Sequence, residues 1–369
     1  MTGQALLRLF VSAMAAFAGV TPAQSVPTPA PAPAPQAPAK QPNAAPLYRR
    51  AVEDLQRAFA DADGSPELPE EPERKDAEPR FSDPEWGTLV TKATLALEGF
   101  AQAARLPGCD FGPAPEPAEI GPLPILAPLH LLDTLTAARG WQRLAATPGQ
   151  AVEDALTLLR HSRHIAELPS NIAAQTAIEN ERQGLALLQA IAPHLQRNVK
   201  VLERCRNELA EHTIHRADRR RFVATLIADA HRTMRAVAAI WQKNEGDRAA
   251  DDAQRTFLRE HGDAVVTRTL AIVEAWFVPF ADAVEIDLSK AGADLTDKLV
   301  AVRAEHDFRS IRANLANWSV ERGIESMASI FATFVVPPIE DVLTWEAAAR
   351  AELAACRAGF ETPATLPGK

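Results

Sequence analysis

The chain is poor in cysteine, nearly without tyrosine, and has no apolar run long enough to cross a membrane. Its 369 residues include three cysteines, Cys109, Cys205 and Cys356. Their spacing is far too wide for a C-x-x-C zinc pair, and an odd number permits at most one internal disulfide with one thiol left over. Cys109, in the loop PGCDFG, and Cys205 are the candidate pair, a bond that needs a close approach only the fold can provide. Cys356 falls in an Ala-rich final helix and reads as a small buried hydrophobe. A spanning helix needs about 20 apolar residues, and the one candidate run, Leu9 to Val20, has 12.

The motifs of common chemistry are also missing. There is no G-x-S-x-G elbow, no Walker loop, no G-x-G-x-x-G and no H-E-x-x-H. No carboxylate dyad stands out, and no fixed-period repeat marks a solenoid. Strand-like alternation is nearly absent. Proline is scarce after residue 130, with eight of the 29 in the remaining 239 residues. Helix interiors exclude proline, so this long segment is free to be almost continuous helix.

What is there begins with an export layout. Arg8 precedes the short apolar run, a small-residue site follows at Thr21 to Ala23, and a Pro/Ala tether runs from Val26 to Pro46. Residues 1–23 read as a cleaved signal peptide and 24–46 as a linker. An uncleaved amphipathic or buried helix is the alternative. No cysteine follows the run to carry a lipid. The chain is placed in the periplasm or outside the cell, with no transmembrane segment once the leader is removed. Formal net charge is −9, and Arg8 is the leader's only charged side chain, so cleavage makes it −10. An acidic chain repels phosphate backbones, so no nucleic-acid partner is expected. The run Arg219, Arg220, Arg221 reads as a solvated basic turn at the start of a helix.

From residue 47 to 362 the pattern is helical. Trp86, Val90, Ala93, Leu97, Phe100 and Ala104 step by three and four, as do Phe222, Leu226, Ala230, Met234, Val237 and Trp241. Val266, Leu270, Val273, Phe277 and Phe280 form a third stripe; Val320, Ile324, Met327, Phe331 and Phe334 form a fourth. Each predicts one dry helix face. Ser82-Asp83-Pro84-Glu85 predicts a helix start with Ser82 as cap, TPGQ at Thr147 to Gln150 a break, and Ser170 a cap after Leu168-Pro169. Polar loops fall near 64–80 and 107–122, and 363–369 read as a flexible tail. The expected fold is all-α, an irregular multi-helix bundle or short array of helix pairs with about nine or ten helices.

The residues with chemistry to offer are few. His161 and His164 form H-x-x-H on a helix, with Glu167 beyond. Two histidines a turn apart can chelate a metal, but the dry stripe of that helix centres on Val152, Ala155, Leu156 and Leu159, which puts His161 toward water. Ser162 lies between the two in sequence but points about 100° away from each. Glu208, Glu211, His212 and His215 make a denser set at i, i+4 spacing. They can pair along the helix or donate metal ligands if a second helix contributes. Asp61, Asp63, Gly64 and Glu70 echo part of a calcium loop, but Phe59 stands where its first acid belongs, and an acidic helix end is the plainer reading. Six tryptophans, at 86, 141, 241, 276, 318 and 345, either pack the core or line an apolar groove. No cofactor is implied. The leading expectation is an exported, non-catalytic helical scaffold that binds another protein or itself. A metal-dependent enzyme with histidines from separate helices is one alternative, and a helical carrier of an apolar ligand the other.

Overall fold

A computed structural model describes residues 42–60, 81, 83–112, 124–168, 170–195, 198–216, 219–243, 253–282, 288–305, 311, 314–335 and 339–361. The leader, most of the tether, the calcium-like residues Asp61, Asp63, Gly64 and Glu70, and the tail lie outside them. Twelve α-helices are described: α1 (Ala45–Ala58), α2 (Pro84–Lys92), α3 (Thr94–Ala104), α4 (Leu126–Leu144), α5 (Pro148–Ile165), α6 (Asn171–Ile191), α7 (Val199–Arg216), α8 (Arg219–Lys243), α9 (Ala253–Asp282), α10 (Leu288–Glu305), α11 (Val320–Val335) and α12 (Ile339–Glu361). Short 3-10 turns follow α6 (Ala192–Leu195) and precede α11 (Leu315–Asn317). The described residues hold no strand, only an isolated bridge between Asn43 and Gly108. The protein is all-α, with slightly more helices than the sequence suggested. None of the described helices is long and apolar enough to cross a membrane.

The helix starts follow local chemistry. At α2 the cap is Asp83, not Ser82: its carboxylate accepts from Glu85 N at 3.0 Å, and Pro84 supplies the preset φ of the first turn. Asp83 stands directly before Pro84, which makes its side chain the nearer acceptor. Ser170 does occupy the cap position of α6, yet its hydroxyl makes no cap bond. The stripe from Trp86 to Ala104 is buried throughout, but it spans two helices, because the backbone departs from helical geometry at Ala93.

The helices pack in two groups. In the first, α1 lies on α3 and α4, α2 on α4, and α3 on α4 and α5; α5 runs between α4, α6 and α7. Close approach is bought with glycine at two crossings. A Cβ at Gly184 on α6 would stand 3.0 Å from the Ala155 carbonyl oxygen on α5, and one at Gly140 on α4 would stand 2.3 Å from Leu187 Cδ2 on α6. In the second group α8 packs on α9, α9 on α11, and α10 on α11. The last helix, α12, packs on α10 and returns to α6 and α7. There Leu353, Cys356 and Phe360 complete a cluster with Leu156, Leu188, Cys205 and Leu209.

Two of the four stripes read from sequence need correction. On α9 the buried line is Val265, Thr269, Val273 and Phe277, so Val266 and Leu270 sit at its flank. On α11 the core face is made of Gly323, Met327, Ile330 and small residues around them, while Val320 and Phe334 are 43% and 45% exposed. The large apolar residues marked the wrong meridian because Phe257 from α9 presses on Gly323, where a Cβ would meet its ring at 2.6 Å.

Candidate functional site

From Ala151 to Ile165 no residue of α5 is fully exposed, and this changes the reading of its histidines. His161 has no exposed surface and His164 has 5%. The expectation that His161 faces water is wrong. A single dry stripe describes a helix at the rim of a bundle, whereas α5 has neighbours all round and turns its polar residues into partners on them.

His161 Nδ1 lies 2.6 Å from Asp133 Oδ1 on α4, and Asn180 Nδ2 on α6 donates to Asp133 Oδ2 at 2.6 Å. One carboxyl group thus joins three helices, and all three side chains are fully buried. The ring of His161 packs against Phe100 and Tyr48, with centroids 4.5 and 4.9 Å away. Tyr48 Oη on α1 shares a 2.8 Å hydrogen bond with His164 Nδ1. Burial, with Cys109 and Asp133 nearby, raises the Tyr48 hydroxyl well above its ordinary range, so it remains a neutral phenol. Burial, aided by His161 and Arg163, pushes His164 down to about 4. The loop after α3 covers this end of the site. Asn43 Nδ2 donates to the Asp110 carbonyl at 2.8 Å, Arg49 Nη2 donates to the Phe111 carbonyl at 2.6 Å, and the Phe111 ring stacks on Tyr48 at 5.9 Å.

Two carboxylates further along α5 and α7 each hold a pair of arginines. Asp154 accepts from Arg139 Nε and Nη2 at 2.9 and 2.6 Å and from Arg143 Nη1 at 3.0 Å. Glu208 accepts from Arg160 Nε and Nη2 at 2.9 and 2.5 Å and from Arg163 Nη2 at 2.6 Å. Burial outweighs the two arginines at Asp154, which is raised; at the less enclosed Glu208 the arginines win, and it is lowered. Glu211 is at the surface, 3.3 Å from Arg163 Nη1. His212 Nε2 lies 3.1 Å from Glu181 Oε1 on α6, both buried, and the His212 ring stacks on His215 at 6.5 Å.

The structure therefore separates the metal candidates from sequence. His161 is paired with Asp133 on α4, His164 with Tyr48 on α1, Glu208 with two arginines on α5, and His212 lies beside Glu181 on α6. Among the described residues no group of three or more His, Cys, Asp or Glu is arranged to hold a metal ion. Cys109 and Cys205 are not joined: all three thiols are free and buried, and Cys109 belongs to the cluster of α1–α4 whereas Cys205 belongs to that of α5, α6, α7 and α12. The four tryptophans whose side chains are described fall in different places. Trp86 fills the first cluster, Trp141 borders the first and second, and Trp276 and Trp318 lie against two further ones. No one cluster holds all four.

Sequence reasoning missed Asp133, Asn180, Glu181 and the two arginine pairs. A signal was present for Asp133: an acid between Leu129, Leu132 and Thr136 on a dry helix requires a buried partner. An aspartate orienting an imidazole is the geometry of a general base. Here Nε2 of His161 has no protein partner, and no reactant reaches it unless the helices around α5 part. The Ser162 hydroxyl turns to its own helix, donating to the Leu159 carbonyl at 2.8 Å. No protein-family model matches the chain, and no curated protein and no solved structure matches it either.

Proposed function

We propose that the chain is an exported, non-catalytic helical scaffold that works by binding another protein or a second copy of itself. The single observation behind this reading is that the side chains fit for chemistry face one another, not an opening. Asp133, His161 and Asn180 bond together with no surface exposed. Export is read from the leader and tether alone. Purified protein should release no product from generic ester, phosphate and glycoside substrates, and cross-linking in the envelope should join it to a protein partner or to itself. Turnover of any of these substrates that purifies with the protein would overturn the reading.

A metal-dependent enzyme is the second reading. It is favoured by His212, fully enclosed beside Glu181 with neither ring nitrogen in a hydrogen bond. Elemental analysis of protein purified without chelator separates the two. Less than about a tenth of a metal ion per chain, with no thermal shift on adding zinc, removes the second.

A further inference from the structure

Tyr48 and His164 meet under a thin cover. The cover is the loop at residues 105–112, of which only Cys109 is buried. Phe111 of this loop stacks on Tyr48 at 5.9 Å, and the Leu106 carbonyl is turned to His164. Exposed hydrogen bonds tie the loop to the start of α1: Asn43 and Asp110 exchange two of 2.8 Å, and Arg49 Nη2 donates to the Phe111 carbonyl. Tyr48 Oη has one hydrogen bond among the described residues, to His164 Nδ1 at 2.8 Å. A neutral phenol with one partner gives its proton to that partner, so Nδ1 accepts and the imidazole is neutral. Around the ring, His161 and Arg163 on α5 and His215 on α7 all oppose a positive charge, as burial does. The acids nearby are engaged: Asp133 on α4 with His161 and Asn180, and Glu208 on α7 with Arg160 and Arg163. On the loop side, Arg49, Asp110 and Glu167 stand around Cys109.

We propose that the Tyr48–His164 pair is an acid-operated latch: a proton taken up at His164 Nδ1 lifts loop 105–112 off the two rings and lets water in. The protonated nitrogen is a donor, so Tyr48 Oη must accept from it, and the phenolic proton loses its acceptor. A buried charge and an orphaned hydroxyl then appear at one place, and water relieves both. The loop is the part that moves most readily, because its side-chain ties to α1 lie at the surface, where water replaces them. Under the closed loop the imidazole takes a proton only at about 4, against 6.5 in the open. Opening therefore becomes easier as pH falls from 6.5 to 4, and the gain levels off below.

The test labels the full-length protein with dithiodipyridine, a thiol reagent that works in acid, at several pH values from 7 to 5. Cys109 on the loop reports opening, while Cys205 and Cys356, in the other cluster, report global unfolding. Each rate is read by mass spectrometry of the labelled peptides and divided by that of glutathione at the same pH. The Cys109 rate should rise about 20-fold from pH 7 to pH 5 while the other two thiols stay unlabelled. His164→Gln, which keeps an acceptor for the phenol, should hold the Cys109 rate within about twofold over the same range. Tyr48→Phe takes the donor from the neutral ring and should start the rise at a higher pH. The proposal is overturned by equal acceleration of all three cysteines, by no rise at Cys109, or by a rise preserved in His164→Gln. A Tyr48→Phe curve that overlays the parent's overturns it too. No partner or substrate enters the readout, so its outcome is separate from that of the function proposed above.

Discussion

The two groups of helices solve burial differently. Up to His212 the interior holds carboxylates, imidazoles, an arginine and an amide: Asp133, Arg139, Asp154, His161, His164, Asn180, Glu181, Glu208 and His212 are all buried. Beyond His212 the buried polar side chains among the described residues are hydroxyls alone: Thr225, Thr269, Ser326, Ser329 and Thr333. A hydroxyl can bond to its own helix, as Thr333 does to the Ile330 carbonyl at 2.7 Å and Thr269 to the Val265 carbonyl at 2.8 Å. A carboxylate inside a helix meets no free backbone donor there, and the buried Asp133, Asp154 and Glu208 find theirs on other helices. The first group is thus tied by buried charged and amide pairs between helices, whereas in the second the charged pairs between helices, such as Arg268 with Glu325, lie at the surface. Breaking a buried polar pair leaves an orphan charge or dipole; losing a back-bonded hydroxyl does not.

That contrast is open to test, the largest effect first. Asp133→Ala strands His161 and Asn180 in the core and should cost about 3–5 kcal/mol in urea unfolding. A cost under about 1 kcal/mol would make the Asp133 pairs incidental to the fold. Acid comes next. His164 titrates near 4 in the folded chain against 6.5 unfolded, so the unfolded chain binds more protons between these values. Its contribution is complete above pH 6.5 and is lost as pH falls toward 4, about 3 kcal/mol in all. His164→Gln keeps an acceptor for Tyr48 and should flatten stability over that window, read by unfolding at several pH values. Gly184→Ala pushes a methyl against the Ala155 carbonyl and should cost about 1–3 kcal/mol. Thr333→Val, in the second group, should stay within about 1 kcal/mol of the parent, since its hydroxyl serves only its own helix.

The pair Asp154 and Glu208 sharpens the same point. Each accepts from two arginines, yet one carboxyl is raised and the other lowered. Ion pairing alone does not decide the state of a buried acid; the depth at which the pair sits does.

The helical class was legible because period and proline placement depend only on local chemistry. The stripes on α2, α3 and α8 were legible because those helices bury one side: Trp86 and Phe100 on the first two, Leu226 and Met234 on the third. Two things escaped. The α11 face was misjudged because closeness to α9 selects small residues, and apolarity scales favour large ones. The Asp133–His161–Asn180 cluster escaped because its members lie 28 and 47 residues apart from Asp133, and α5 has no wet side for a periodicity argument to find. Of the sequence-derived metal candidates, His161 lies beside Asp133 and His212 beside Glu181, acids from other helices that spacing along one helix could not reveal.

Because α12 supplies Leu353, Cys356 and Phe360 to the cluster on α6 and α7, the early half of the protein is finished by residues made near the end. A nascent chain carries an open greasy wall until most of its length has left the ribosome, and a premature stop before Ile339 leaves that wall bare for good. Until α12 docks, that wall is a surface prone to aggregation.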